Sequence, residues 1–290
     1  EIGSCDWSSD VCSSDLDLDF VSSVTLTDIY GYMTYLSRER VLHQNSDASG
    51  YGLNAASRAR KIATIRSFYK YLTNKVHLIK ENPVKDLDSP KLKKTLPKYL
   101  TLEESVQLLS SVDGQNRERD YCILTLFLNC GLRISELCAL STTDIQDDAL
   151  RVLGKGNKVR IVYLNDACKE ALNGYLAVRR PIVGRDQNAL FLSSRNERVS
   201  RSTVHALVKK HLSEAGLDST QYSAHKLRHT AATLMLQNGV DVKAVQEVLG
   251  HEHLNTTEIY THIDNEALRV AAKANPLSRV KPPKKNEAEN

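Results

Sequence analysis

Apolar residues recur along this chain mostly at helical spacing, and period-two alternation is confined to short runs in its second half. Ile29, Met33 and Leu36 share one face behind a Thr27-Asp28 start. A stronger helix is predicted from Asn54 to Asn74, where Ile62, Ile65, Tyr69 and Leu72 form the apolar stripe and Arg60, Arg66 and Lys70 fall on the other side. Asn82-Pro83, Ser89-Pro90 and Leu96-Pro97 then punctuate a basic stretch without periodicity, which reads as a linker. Thr101 and Glu104 have capping-box spacing, so a new helix starts there.

Beyond that point the pattern predicts an apolar helix over 118–129 ending at Gly131, then a second helix with Arg133 at its start. Residues 149–153 and 159–164 are strand-like and flank the turn Gly154-Lys155-Gly156-Asn157; Ala189–Leu192 reads as another short strand. Helices follow over 201–215, 224–238 and 241–249, with Gly239 and Gly250 where C-terminal caps belong. Asn255 to Glu258 opens a short helix carrying Tyr260, and Asn265–Ala274 is one more. The expected fold is mainly α with a small β-sheet or hairpins. It falls into a helical domain over 17–90, a linker over 91–98, an α+β domain over 99–276 and a polar tail over 277–290.

Residues 1–16 stand apart. They have neither period, repeat Ser-Ser-Asp, and resemble the translation of a sequencing adapter more than a protein segment. They are read as a non-native or disordered leader and excluded from fold reasoning. The expected consequence is a first helix lost from the front of the helical domain.

Net charge is only +4, weak evidence for a nucleic-acid partner. Setting aside Glu1, Asp6, Asp10 and Asp15 leaves 31 acidic against 39 basic residues, a balance of +8. Basic runs at 57–61 and 91–94, the latter with Lys93 and Lys94, fit a solvated surface as readily as a nucleic-acid contact. The six cysteines show no Cys-x-x-Cys, and Cys122, Cys130 and Cys138 lie in apolar stretches as buried thiols. With no apolar run near the roughly 18 residues of a membrane span, and no signal peptide, a cytoplasmic protein without membrane association is expected.

The candidate chemistry is spread over five ordered pieces: Arg133 in G-L-R-I-S-E-L, Lys155 in G-K-G-N-K, His225 and Arg228 in H-K-L-R-H, His251 in L-G-H, and Tyr260 in I-Y-T-H. A guanidinium at a helix start can fork onto a phosphate, and Glu136, one turn on, can orient it. Lys155 on a hairpin tip can protonate a leaving alkoxide, although tip lysines are usually only solvated. His225 and Arg228, spaced i and i+3, share a helix face in a first turn behind Ser223. His229 at i+4 from His225 invites a zinc reading, but Lys226 stands where a Glu would be needed. Tyrosine in a short amphipathic helix is most often packing, so Tyr260 depends on the others. The set suits binding an anionic phosphate and attacking it with a phenol, without metal or other cofactor.

In order, these pieces resemble the tyrosine recombinase (phage integrase) family, most like its bacterial Xer branch, over about residues 24–275. The family pattern Arg, Lys, His-x-x-Arg, His, Tyr is filled by Arg133, Lys155, His225, Arg228, His251 and Tyr260. The resemblance implies a two-domain C-shaped clamp on duplex DNA, with a helical SAM-like core-binding domain before a catalytic one. Arg60, Arg66, Lys70, Lys93 and Lys94 become DNA-contact candidates. It implies attack by Tyr260 to form a 3′-phosphotyrosine, recombination through a Holliday junction, and no ATP or metal. Partners would be DNA with inverted-repeat half-sites and a homotetramer, or a heterotetramer with a paralogue. The helix after Tyr260, with Leu268, Ala271 and Ala272 on one face, would dock into a neighbouring protomer. The rivals are a relaxing enzyme like a type IB topoisomerase and a non-catalytic DNA-binding protein.

Overall fold

The computed structural model describes residues 18–38, 52–90, 98–154, 158–180, 186–250 and 265–282. Two compact units divide between Leu96 and Pro97. Lys93, Lys94, Lys155, His251, Tyr260 and the predicted helix start at Asn255 lie outside the described residues.

The first unit holds α1 (Leu18–Ser23), α2 (Leu26–Arg38) and α3 (Ala55–Asn74). The start of α2 differs from the Thr27-Asp28 expectation. Thr25 is the cap: its Oγ1 accepts from the Asp28 amide at 3.3 Å, and its own amide donates to Asp28 Oδ2 at 2.8 Å. Two orphan amide groups are thereby satisfied reciprocally. Asn54 caps α3 by accepting from the Ser57 amide at 2.8 Å. Ile29, Met33 and Leu36 pack on Ile62, Tyr69 and Leu72, joined by Ile79, Val84 and Leu87 from the chain after α3. Ile65 is only half-buried at the edge of this core.

The second unit begins with α4 (Leu102–Ser110), whose Thr101–Glu104 capping box forms in both directions. Its axis is α5 (Arg117–Cys130), buried at every residue from Asp120 to Cys130. Such a helix has no apolar stripe because neighbours surround it; each fully covered Leu or Ile contributes about 1.5–3 kcal/mol. Its charged residue Asp120 is paired, meeting Arg119 at 2.8 Å and His211 at 3.1 Å. Gly131 ends the helix in the left-handed region, φ 58°, and α6 (Ile134–Ala139) follows.

A three-stranded antiparallel sheet comes next, in the order β1 (Ile145–Gln146), β2 (Ala149–Leu153), β3 (Val159–Tyr163). Leu153 pairs with Val159 at the hairpin end, where the Gly154 amide donates to Lys158 O at 2.8 Å. Then follow α7 (Asp166–Val178), α8 (Arg201–Glu214), α9 (Ala224–Gln237), α10 (Val242–Leu249) and α11 (Asn265–Lys273). Both α7 and α9 pack along α5. Cys122, Cys130, Cys138 and Cys168 are all buried thiols.

Several expectations are corrected. Ala189–Leu192 is not a strand but a segment held by isolated bridges, Ser141 to Ala189 and Leu192 to Arg198. Three of its carbonyls accept from arginines instead: Arg179 Nη2 donates to Ala189 O at 2.7 Å and its Nε to Leu190 O at 3.1 Å, and Arg119 Nη1 donates to Leu192 O at 2.8 Å. The polar tail does not begin at 277, because Leu277 is fully buried in the main core. The face of α11 expected to dock into a neighbouring protomer packs within its own chain: Ala271 lies with Met235, Val245, Val248 and Leu249, and Leu268 lies against them. Asn165, Asn129 and Asn275 close the region, with Asn165 Nδ2 donating to Asn129 Oδ1 and Ala272 O, and Asn275 Nδ2 to Leu128 O.

Candidate active site

Arg133 precedes α6 with extended backbone (φ −73°, ψ 148°). Its amide donates to Glu136 Oε2 at 2.8 Å and its Nη1 to Glu136 Oε1 at 2.7 Å. Glu136 thus caps the helix and orients the arginine together. Its own side chain is nearly fully buried, which obliges it to be paired. Burial pushes its carboxyl up, but hydrogen bonds from Arg160 and Arg133 outweigh this and hold it below the ordinary value.

Arg160 was not among the residues singled out in the sequence. It lies on β3 and engages both oxygens of Glu136, Nη1 to Oε1 at 2.8 Å and Nη2 to Oε2 at 2.9 Å. The available signal was its register: Arg160 shares a strand face with buried Val162. Apolar residues on both sides of it masked that alternation.

Arg228 sits in the second turn of α9, buried, where Nη1 donates to Gly131 O at 2.6 Å and Nη2 to Leu249 O at 2.7 Å. Glu136 Oε2 is 3.9 Å away. Burial, then the positive charge of Arg133, lowers its guanidinium to about 10, with Glu136 opposing. It stays charged at neutral pH, in surroundings that favour a further negative partner.

Three guanidiniums therefore surround one carboxylate. Arg133 is the most accessible, its side chain 35% exposed against 15% for Arg160 and 6% for Arg228. His225 opens the same helix as Arg228 and is exposed, free to meet a ligand from outside. Ser223 precedes the helix in extended conformation but makes no side-chain cap hydrogen bond. His229 turns toward Tyr99, ring centroids 6.4 Å apart and edge-on. Burial, with the nearby Lys226 and His225 charges, lowers its pKa. No group of three His, Cys, Asp or Glu that could hold a metal occurs among the described residues.

In the first unit, Arg60 and Lys70 are exposed on α3. Arg66 is half-buried and its Nη1 donates to Ser89 Oγ at 3.0 Å, so it is less available than the sequence suggested. No helix among the described residues is long and apolar enough to cross a membrane.

The fold agrees with the comparisons to known proteins. The pattern of the phage integrase family matches residues 98–267. The tyrosine recombinase XerC of Caldanaerobacter subterraneus subsp. tengcongensis is 51% identical over 267 residues, spanning 92% of this chain and 72% of that protein. The XerD recombinase of Proteus mirabilis is 40% identical over 225 residues, 76% of this chain and 72% of its own length. This chain belongs to the phage integrase family. Within it, the chain is a tyrosine recombinase of the Xer type, an enzyme of site-specific DNA recombination. The crystal structure of XerA recombinase is similar at TM-score 0.51 and 29% identity, over 86% of this chain and 82% of that one. XerH bound to a palindromic difH substrate, a post-cleavage complex, shares the fold at TM-score 0.62 and 23% identity, over 90% and 72%. The relaxing-enzyme and pure-binder readings are not favoured.

Proposed function

We propose that recombination in this protein proceeds by attack of Tyr260 on a DNA phosphodiester held by Arg133 and Arg228, giving a 3′-phosphotyrosine and a free 5′-hydroxyl. The observation that carries this reading is the arginine cluster: among the described residues, three guanidiniums against one carboxylate leave two positive charges without a partner charge. A pentacoordinate phosphate gains negative charge as it forms, so preorganised cations stabilise it more than the ground state.

The remaining roles follow from the chemistry of each group. A phenol is only about one part in a thousand ionised at pH 7, so Tyr260 needs help in losing its proton, and exposed His225 is the acceptor. His251 hydrogen-bonds the phosphate. Lys155 protonates the departing 5′ oxygen, a step that contributes about 10²–10⁴-fold in rate. The phosphotyrosine conserves the energy of the broken bond, so a 5′-hydroxyl from a second duplex reverses the step and joins the new strand. Residues 99–276 form the catalytic domain in this reading, and residues 17–90 contact DNA phosphates through Arg60 and Lys70, with Lys93 and Lys94 in the linker. The partners are duplex DNA with inverted-repeat half-sites and three further recombinase copies, of this chain or a paralogue.

The test is Tyr260→Phe on a nicked suicide substrate. DNA binding persists and the SDS-resistant adduct disappears. An adduct formed by the Phe variant shows that another residue is the nucleophile.

A further inference from the structure

We infer that Arg160 is a positioning residue for the recombination chemistry, holding Arg133 and Arg228 in place through Glu136 and fixing the end of α10 from which His251 follows. The inference rests on the reading of Arg133 and Arg228 as phosphate-holding groups.

The first argument is the division of Glu136 among its neighbours. Among the described residues, only Arg160 meets both carboxylate oxygens with its guanidinium, at 2.8 and 2.9 Å. This two-pronged pairing is the strongest that a guanidinium makes with a carboxylate. The Arg133 guanidinium takes one oxygen through one nitrogen, its backbone amide reaching the other, and Arg228 remains at 3.9 Å. Arg160 therefore absorbs most of the carboxylate's charge and leaves that of the other two for an incoming anion.

The second argument is the end of α10. Arg160 Nε donates to Val248 O at 3.3 Å, Arg228 Nη2 to Leu249 O at 2.7 Å and Arg133 Nη2 to Gly250 O at 2.9 Å. Three successive carbonyls, at the negative end of the helix, are each held by a different arginine. The three share Glu136, so a shift of Arg160 is felt by both others.

The third argument is the space made for this side chain. Gly250 has φ +64°, and a Cβ there would lie 3.0, 3.1 and 3.2 Å from Arg160 Cδ, Nε and Cζ. At Gly154, next to Lys155, a Cβ would lie 3.7 Å from Arg160 Nη1 and 3.9 Å from Glu136 Oε1. Glycines from the hairpin and from the end of α10 both border the same guanidinium. Lysine cannot substitute for it, because one ammonium cannot span two carboxylate oxygens and a carbonyl in one plane.

The experiment compares Arg160→Lys with Arg133→Ala in single-turnover cleavage of a nicked suicide substrate. Each is assayed on the ordinary phosphodiester and on a methylphosphonate at the scissile position. Arg160→Lys is expected to bind DNA normally and cleave the phosphodiester about 10²-fold more slowly, the scale of a small misplacement at a reacting centre. Its defect shrinks on the methylphosphonate, which lacks the charged oxygen the arginines must meet. The ratio between substrates does not depend on how much of the variant is folded, since lost protein lowers both rates alike. An equal defect on both substrates, or wild-type cleavage while Arg133→Ala is crippled, overturns the role of Arg160. Full cleavage by Arg133→Ala instead overturns the phosphate-holding reading itself.

Discussion

Gly131 and Leu249 pack so closely that a methyl group on the first would lie 2.4 Å from Cδ2 of the second. Gly131 also has φ +58°, and its carbonyl accepts from Arg228 Nη1 at 2.6 Å. One residue thus ends α5, admits α10 and anchors an arginine. Gly131→Ala imposes left-handed strain and a clash together, so a loss of about 2 kcal/mol or more is expected. Urea unfolding measures it. Cleavage should fall further than the folded fraction does, since α10 must move away from the arginines.

Glu136→Gln removes the charge that three guanidiniums share. Breaking a buried ion cluster from one side costs about 3–5 kcal/mol, and because Gln keeps one acceptor we expect about 3 kcal/mol in denaturant unfolding. The folded carboxyl sits below its ordinary 4.5. Its contribution is therefore complete above that pH and disappears as pH falls through the lower folded value. A stability profile of the Gln variant should be flatter than wild type below pH 4.5 and uniformly lower above it. An unchanged acid limb would mean that Glu136 is not the group titrating there.

Lys155→Ala should slow cleavage of ordinary DNA by about 10²-fold or more. A 5′-bridging sulfur leaves without protonation and should restore the rate. Equal defects on both substrates would assign Lys155 to holding the DNA instead.

Cleavage should survive excess EDTA, because guanidiniums and an ammonium supply the positive charge. His229 already stacks edge-on with Tyr99 rather than pairing with His225. Loss of activity on chelation, with rescue by zinc, would reinstate that histidine pair as a metal site.

The sequence was most readable where one residue type has one local job. The Thr101–Glu104 box and the glycine ends at Gly131 and Gly250 all stand where expected. The helix α7 was missed. Its buried face is built largely from Ala167, Cys168 and Ala171, too small to stand out as an apolar stripe, and Gly174 interrupts the pattern. Arg133 and Arg228 were legible from their motifs and Glu136 from its i, i+3 spacing. Arg160 was not, because its partner is 24 residues away and its meaning comes from tertiary contact alone.

The buried asparagines have a consequence for the last helices of the second unit. The Gly250 carbonyl is pinned by Arg133, and in the last turn of α11 the Ala272 carbonyl is pinned by Asn165, while Asn275 reaches Leu128. The ends of α10 and α11 are thus moored around the C-terminal end of α5, like two lines to a single quay. Cutting Asn165 back to alanine would cast off one of them, leaving the Asn129 amide oxygen and the Ala272 carbonyl buried without that donor, at a cost of about 1–3 kcal/mol each.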